Sequence, residues 1–189
     1  NDRKHTVTTR LVGGYNLKNA LAAVAVGRTF GVSADDICRA IADYTPTNNR
    51  SQWMETSRNR LLIDAYNANP LSMRSSLETF LSLRSVAPRM AVLGEMREMG
   101  PDAVRYHREL EPLIDGVDEV VLVGELWREA LEERPNRRFV GGWREALDAA
   151  RAAEWAGILV KGSHSLELER VVEGLAVEAI PFDGPGEAS

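Results

Sequence analysis

Residues 61–83 read LLIDAYNANPLSMRSSLETFLSL and combine a strand signal, a turn and a helix signal. The apolar run Leu61–Ile63 is typical of a short buried strand. Asn69 and Pro70 then fit the N-cap and the first position of a helix. We predict that this helix extends over Leu71–Leu83. Its apolar face consists of Met73, Leu77, Phe80 and Leu81.

The same alternation continues along the chain. Short apolar runs predict further strands at Met90–Leu93, Val120–Val123, Phe139–Val140 and Ile158–Val160. The stretches between and after them predict helices at Ala103–Ile114, Leu126–Glu133, Trp143–Trp155 and Leu166–Leu175. Because strands that alternate with helices form βαβ units, we predict an α/β fold: a Rossmann-like three-layer α/β/α domain with a mostly parallel sheet. A last run, Val177–Phe182, suits an edge strand because it contains a proline.

A different pattern precedes this domain. The apolar run Ala20–Val26 predicts a buried helix that ends at Gly31. Ser33 and Asp36 resemble a capping box, which predicts the start of a second, amphipathic helix. Residues 45–51, TPTNNRS, are rich in turn formers and form the candidate linker. We therefore predict a small helical segment followed by the α/β domain.

Composition narrows the classes of function. Of the 189 residues, 44% are hydrophobic and 27% are charged, as in ordinary globular proteins that bury a core. The net charge of -5 gives no broad cationic surface, so we expect no nucleic-acid partner. The longest apolar run is too short to cross a bilayer and no signal segment opens the chain. We therefore expect a cytoplasmic protein without a membrane span.

Polar residues follow several of the predicted strands. Ligands of open α/β sheets bind at the carboxyl ends of the strands, so these positions form a candidate site. They are Asp64–Asn67, Gly94–Met96, Gly124–Glu125 and Lys161–Ser165. Glu95 and Glu98 could also form a carboxylate pair for acid–base chemistry, but a solvated or salt-bridged loop is the simpler interpretation.

Five sequence motifs, taken in order, resemble those of the Mur ligase family. They are Gly14–Ala23, Asp64–Met73, Val92–Gly100, Tyr106–Leu110 and Val160–Ser165. Two positions depart from the family pattern, since Tyr15 replaces a histidine and His164 replaces an arginine. The motifs extend over nearly the whole chain, so the resemblance concerns both the helical segment and the α/β domain.

The resemblance implies an ATP-dependent amide ligase. It points to the branch of the family that joins D-Ala-D-Ala to UDP-N-acetylmuramoyl-tripeptide through an acyl phosphate in peptidoglycan precursor synthesis. Residues 1–50 would be the tail of the central ATP-binding domain and its linker, and residues 51–189 the Mur ligase C-terminal Rossmann-like domain. The sequence contains no G-x-x-x-x-G-K-[ST] phosphate loop. We therefore expect a fragment that is inactive alone, with ATP and Mg²⁺ held mainly by an upstream part. We also expect the protein to be a monomer.

Two other interpretations stay open. The chain could be a stand-alone Rossmann-like module that binds a small nucleotide or a protein partner. It could also belong to a sister ligase of the Mur or folylpolyglutamate type, which would share the fold. A phosphate loop and a nucleotide-sugar domain in the same reading frame would exclude the stand-alone module.

The resemblance implies nucleotide contacts for four residues. It places Asn16 and Asn19 near the adenine, Arg50 near the phosphates and Asp64 near the ribose or phosphate region. An amide both donates to and accepts from a base, a guanidinium offers charged forked donors, and a carboxylate accepts from ribose hydroxyls. The alternatives are a helix cap for Asn16 and a solvated linker charge for Arg50.

Four further residues are candidates for substrate contacts. Tyr66 and Asn67 follow the first predicted strand of the α/β domain, and Lys161 and Ser163 lie between a strand and a helix start, where free backbone N–H groups can bind an anion. A surface lysine and a serine N-cap are the alternatives for the last two. His107 is interpreted as structural or peripheral to the substrate. We assign no catalytic residue and no metal ligand.

Overall fold

Eight α-helices and six β-strands form the part of the chain that the computed structural model describes, residues 4–14, 16–46, 49–84, 86–154 and 156–178. The helices are α1 (Asn16–Thr29), α2 (Ala34–Asp43), α3 (Pro70–Ser82), α4 (Ala103–Arg108), α5 (Glu111–Ile114), α6 (Glu125–Ala130), α7 (Trp143–Arg151) and α8 (Glu169–Leu175). The strands are β1 (Gln52–Glu55), β2 (Arg60–Asp64), β3 (Arg89–Gly94), β4 (Glu119–Val123), β5 (Arg137–Val140) and β6 (Gly157–Lys161). Short 3₁₀ turns cover Gly100–Asp102, His164–Leu166 and Ala176–Glu178.

The strands form one sheet in the order β1-β2-β6-β3-β4-β5. All neighbouring strands are parallel except β1, which pairs antiparallel with β2 at one edge. The predicted α/β fold with a mostly parallel sheet is therefore confirmed. Strand β6 lies between β2 and β3, so the last strand of the chain brings its residues next to those of the second.

Helices cover both faces of the sheet. Successive residues of a strand point to opposite faces, so each strand contributes apolar side chains to both layers of helices. In β2, Leu61 and Ile63 pack with α7 and α8, whereas Leu62 packs on the other face with α3. On that second face the predicted apolar stripe of α3 supplies three fully buried side chains, Met73, Leu77 and Phe80. The three predicted layers are therefore present.

The predicted caps are confirmed. The Asn69 side chain accepts the N–H of Ser72 at 2.9 Å, and Pro70 occupies the first turn of α3. The Ser33 hydroxyl accepts the N–H of Asp36 at 3.1 Å at the start of α2. These bonds satisfy backbone donors that the helix itself leaves free.

Several details differ from the sequence-based prediction. Helix α8 begins at Glu169 and not at Leu166, because Glu167 adopts a left-handed conformation after the 3₁₀ turn. Strand β1 was not predicted, because its four residues show no apolar alternation, although Trp53 packs against the core. The predicted helix Ala103–Ile114 is two helices, since Pro112 lacks the N–H that a continuous helix would need. Of the predicted edge strand, Val177 and Glu178 lie in a 3₁₀ turn and the other residues lie outside the described part.

Residues Ala20–Val26 form a helix, as predicted, but the prediction that this helix is buried is wrong. These residues do lie in α1, and Gly31 follows with a φ of +75°, as expected at a helix end. Most of their side chains are nevertheless exposed, including Leu21 and Val26. Helix α1 packs mainly on α2, so within the described residues no second layer covers its apolar side chains.

No helix among the described residues has the length and apolar content that a membrane span requires.

Candidate functional site

A cleft of about 630 Å³ lies between the two N-terminal helices and the carboxyl ends of β2 and β6. Seven of the eight residues singled out in the sequence line it: Asn16, Asn19, Arg50, Asp64, Tyr66, Asn67 and Lys161. The eighth, Ser163, is not among the lining residues. The structure thus brings together residues that lie up to 145 positions apart in the chain, from 16 to 161.

Asp64 lies at the end of β2, and one of its carboxylate oxygens is held from two sides. Asp64 Oδ2 accepts from Lys161 Nζ at 2.6 Å and from the Ser76 hydroxyl at 2.8 Å. Within the described residues, Oδ1 has no hydrogen-bond partner. The carboxylate is therefore fixed in orientation while one oxygen stays available to a molecule in the cleft.

Lys161, at the end of β6, is buried, so the alternative of a surface lysine is wrong. Its ammonium donates to Asp64 Oδ2 and to the main-chain carbonyl of Asn67, which is 3.0 Å away. Burial lowers the pKa of Lys161 because it disfavours the charged form, and the Asp64 carboxylate offsets part of this effect. Lys161 is therefore part of the wall of the cleft.

Tyr66 and Asn67 are both exposed on the turn after β2. The Arg50 guanidinium carbon lies 3.7 Å from the centre of the Tyr66 ring, a cation–π contact. The His164 ring stacks on the same tyrosine, with ring centres 6.0 Å apart. This stack places the positive charge of the linker arginine at the mouth of the cleft. The Asn67 side chain accepts the N–H of Ala68 at 2.8 Å, which leaves its amide N–H groups for a ligand.

Asn16 and Asn19 share one face of α1, as their spacing predicts. The Asn16 amide is buried; it donates to the Val12 carbonyl at 2.8 Å and accepts from the Asn19 amide at 3.1 Å. Asn19 is exposed, and its own carbonyl oxygen has no hydrogen-bond partner among the described residues. The geometry therefore makes Asn19 the more available of the two, with Asn16 holding it in place.

Ser163 has a different partner. Its hydroxyl accepts the N–H of Arg97 at 3.0 Å and makes no side-chain cap bond to the turn that follows it. This bond joins the loop after β3 to the end of β6. Ser163 thereby supports the neighbouring loop from a buried position.

Glu95 and His107 belong to the interior of the domain. Glu95 accepts from the N–H of Leu126 at 3.1 Å and pairs with Arg97 at 3.0 Å, so a salt-bridged loop is the interpretation that the structure supports. His107 Nε2 accepts the N–H of Met96 at 2.8 Å, and its ring packs edge-on against Trp127. Burial lowers the pKa of His107, in agreement with a neutral ring that accepts this bond. Its structural role is thus supported.

Ser76 is a site residue that the sequence analysis missed. It lies in α3 between the buried residues Met73 and Leu77, in an otherwise apolar stripe. A hydroxyl buried in such a stripe needs a hydrogen-bond partner. The serine could therefore have been used to predict a hydrogen bond between α3 and a polar residue of the sheet. The identity of the partner, Asp64, depends on how α3 packs against β2.

The described residues contain no group of three or more His, Cys, Asp or Glu side chains that could hold a metal ion. The cleft itself presents one lining carboxylate, Asp64, and it is already paired with Lys161. A resident Mg²⁺ therefore does not fit the described residues as a complete site.

The sequence matches a known family over most of its length. The family described as Mur ligase, glutamate ligase domain, matches residues 49–164. The chain belongs to the Mur ligase family. Its matched part extends from the linker before β1 to the start of the turn after β6, so it contains Asp64 and Lys161.

Relatives of this Mur ligase chain share a common name. The chain is 30% identical over 183 residues to the UDP-N-acetylmuramoyl-tripeptide–D-alanyl-D-alanine ligase of Bacillus subtilis, covering 91% of the chain and 40% of that ligase. It is 34% identical over 173 residues to the ligase of the same name from Treponema pallidum, covering 85% and 37%. A crystal structure of MurF from Acinetobacter baumannii superposes with a TM-score of 0.80 and 26% identity, over 89% of the chain and 39% of that protein. The chain thus spans about two-fifths of the length of these relatives.

Proposed function

We propose that this Mur ligase chain forms the C-terminal part of an ATP-dependent ligase that adds D-Ala-D-Ala to UDP-N-acetylmuramoyl-tripeptide. The observation that carries the proposal is the cleft, in which Asp64, Arg50 and two asparagines of α1 converge although they come from separate elements. The names of the relatives support the choice of D-Ala-D-Ala over the amino acids that sister ligases add.

The proposed reaction explains why a nucleotide site is needed. Joining a carboxylate to an amine in water is uphill, so the carboxylate must first be activated. Transfer of the terminal phosphoryl group of ATP to the tripeptide carboxylate gives an acyl phosphate and ADP. The amine of D-Ala-D-Ala then attacks the acyl carbon, the amide bond forms and inorganic phosphate leaves. The described residues would orient the nucleotide during the first step.

Each lining residue has a role that its geometry permits. The free Oδ1 of Asp64 can accept from a ribose hydroxyl, and the exposed carbonyl of Asn19 can accept from the amino group of an adenine. Arg50 carries the positive charge for the phosphates, which requires it to leave the face of Tyr66. Asn67 offers amide donors on the same side of the cleft.

The proposal assigns residues 1–50 to the tail of a central ATP-binding domain and residues 51–189 to the C-terminal domain. The uncovered apolar side chains of α1 support this division, because a helix with exposed Leu17, Leu21 and Val26 presents apolar surface on more than one side, which other parts of a larger domain would cover. Mg²⁺ belongs to the same proposal, with its ligands outside the described residues. The proposed enzyme is a cytoplasmic monomer.

The test uses the complete protein encoded by the gene that contains this sequence. Phosphate release from ATP should require both UDP-N-acetylmuramoyl-tripeptide and D-Ala-D-Ala, whereas the 189-residue chain alone should show no turnover. Release that occurs with glutamate or another single amino acid in place of D-Ala-D-Ala would favour a sister ligase. Tight ATP binding by the chain alone would favour the stand-alone module.

Asp64→Ala in the complete protein tests the site itself. Loss of a hydrogen bond to a charged group should lower kcat/KM for ATP by roughly ten- to a hundredfold. Glu119→Ala is the matched control, because that carboxylate is exposed at the amino end of β4, away from the cleft. Equal activity of the two variants would show that the cleft is not the nucleotide site.

A further inference from the structure

The buried ammonium of Lys161 directs its hydrogen bonds to a single turn. Its Nζ lies 2.6 Å from Asp64 Oδ2, 3.0 Å from the Asn67 carbonyl oxygen and 3.5 Å from the Asp64 carbonyl oxygen. The first two are ordinary hydrogen-bond distances and the third is a long contact, so the acceptors around the ammonium all belong to this turn. With only 1% of the residue exposed, the ammonium is directed at these protein acceptors and is shielded from solvent.

The turn that Lys161 holds is the one that presents the candidate ligand contacts. Residues 64–67 include the carboxylate that faces the cleft and two exposed side chains, Tyr66 and Asn67. Lys161 contacts this turn at its first and last residues, so it fixes both ends. Ser76 binds the same oxygen of Asp64 from α3, so Lys161 and Ser76 together orient the carboxylate.

We infer that Lys161 is a positioning residue for the nucleotide site, which shapes the turn of residues 64–67 and acts through Asp64 instead of binding a substrate itself. This inference assigns Lys161 a role different from the anion contact that its sequence position suggests. It rests on the proposed function for the identity of the ligand, but the shape of the turn can be tested without that function.

The first experiment measures the turn directly in the 189-residue chain. Lys161→Met should raise the amide hydrogen-exchange rates of residues 65–68 by about tenfold or more, because the turn loses its anchors at both ends. Lys18→Met is the matched control, since Lys18 is exposed on α1 and does not line the cleft. Unchanged exchange rates at residues 65–68 in Lys161→Met would overturn the inference.

The second experiment is a double-mutant cycle in the complete ligase, with KM and kcat measured separately for ATP and for D-Ala-D-Ala. Lys161→Met and Asp64→Asn should each raise KM for ATP, and the double variant should be little worse than either single one. Coupled residues deviate from additivity by roughly 2- to 150-fold in such cycles. A rise in KM for D-Ala-D-Ala alone, with effects that multiply, would mean that Lys161 binds substrate directly and would overturn the inference.

Further variants separate a loss of folding from a loss of the turn's shape. Lys161→Met alone leaves the Asp64 carboxylate without its buried partner, which destabilises a folded protein. The double variant removes both charges and avoids this problem, and Lys161→Gln keeps a donor at the same position. Lys161→Gln should therefore restore part of the turn's protection and of the KM for ATP. If Lys161→Met lowers only the melting temperature, with wild-type exchange at residues 65–68 and wild-type KM for ATP, the role of Lys161 is merely structural and the inference is wrong.

The two proposals can fail separately. If the wild-type protein shows no phosphate release that depends on D-Ala-D-Ala, the proposed function fails, while the exchange experiment still decides whether Lys161 holds the turn. If the wild type is active and the two substitutions act independently, only the positioning role fails.

Discussion

Helices α1 and α3 are similar in apolar content but opposite in environment. In α3, Met73, Leu77 and Phe80 have no exposed surface, because the sheet lies against them. In α1, Leu17 is 63% exposed and Leu21 is 57% exposed. The difference teaches that apolar side chains on a helix favour burial, whereas the element that covers them has to come from elsewhere in the protein. The sheet domain contains its own partner layers; the helical segment does not within the described residues.

The largest effect that this comparison predicts concerns two phenylalanines. Phe80→Ala should reduce the free energy of unfolding by about 3–5 kcal/mol, because it empties a fully buried site beneath the sheet. The same substitution at Phe30, which is 82% exposed just after α1, should change it by no more than about 0.5 kcal/mol. Urea unfolding of the 189-residue chain measures both. Similar losses would show that the helical segment is as well packed as the sheet domain.

A second prediction concerns the interior of the sheet domain at low pH. Burial lowers the pKa of His107 below its ordinary value of 6.5, so below that pH the unfolded chain binds a proton that the folded chain does not. Stability should therefore fall as the pH decreases below 6.5, by up to about 1.4 kcal/mol per pH unit for this one group. Urea unfolding between pH 7.5 and 5.5 measures the slope. His107→Gln should remove much of it, and an identical slope in that variant would contradict the prediction.

The smallest predicted effect compares the helix caps of the two regions. Asn69→Ala removes the cap of α3 and should reduce the free energy of unfolding by about 0.5–2 kcal/mol. Ser33→Ala removes the corresponding cap of α2. If the helical segment frays independently, Ser33→Ala should lower the helical circular dichroism signal with little shift of the main unfolding transition. An equal shift in both variants would show that the two regions unfold as one unit, and the contrast between them would not hold.

Much of the architecture could be predicted from local sequence patterns. The strands centred on Leu62, Val92 and Val121 were visible as short apolar runs, and α3 was visible from its stripe and its cap. Strand β1 was not, because four residues at a sheet edge carry no clear alternation. The pattern of residues 103–114 predicts one helix where the structure has two, α4 and α5, because that pattern does not show the N–H that Pro112 lacks.

The candidate site, like the fold, could be predicted only in part from the sequence. The polar turn after β2 and the asparagines of α1 could be selected from the sequence, since their residue types and their position after a strand suggest a ligand. Their convergence in one cleft could not be derived, because it depends on how α1 and α2 sit over the sheet. The prediction that Ala20–Val26 is buried fails for the same reason. Hydrophobic side chains favour burial, but they do not supply the element that would pack over them.

The sequence by itself determined which segments become strands and helices, where α3 begins, and which polar residues end the strands. These features depend on residues within a few positions of one another. Only the tertiary structure decided the environment of Lys161, whose partner Asp64 is 97 positions away. That pairing exists because β6 inserts between β2 and β3, and apolar periodicity does not specify strand order. At the end of an edge strand this lysine would be exposed. At the end of the central strand β6 it is buried and supports the turn beside it.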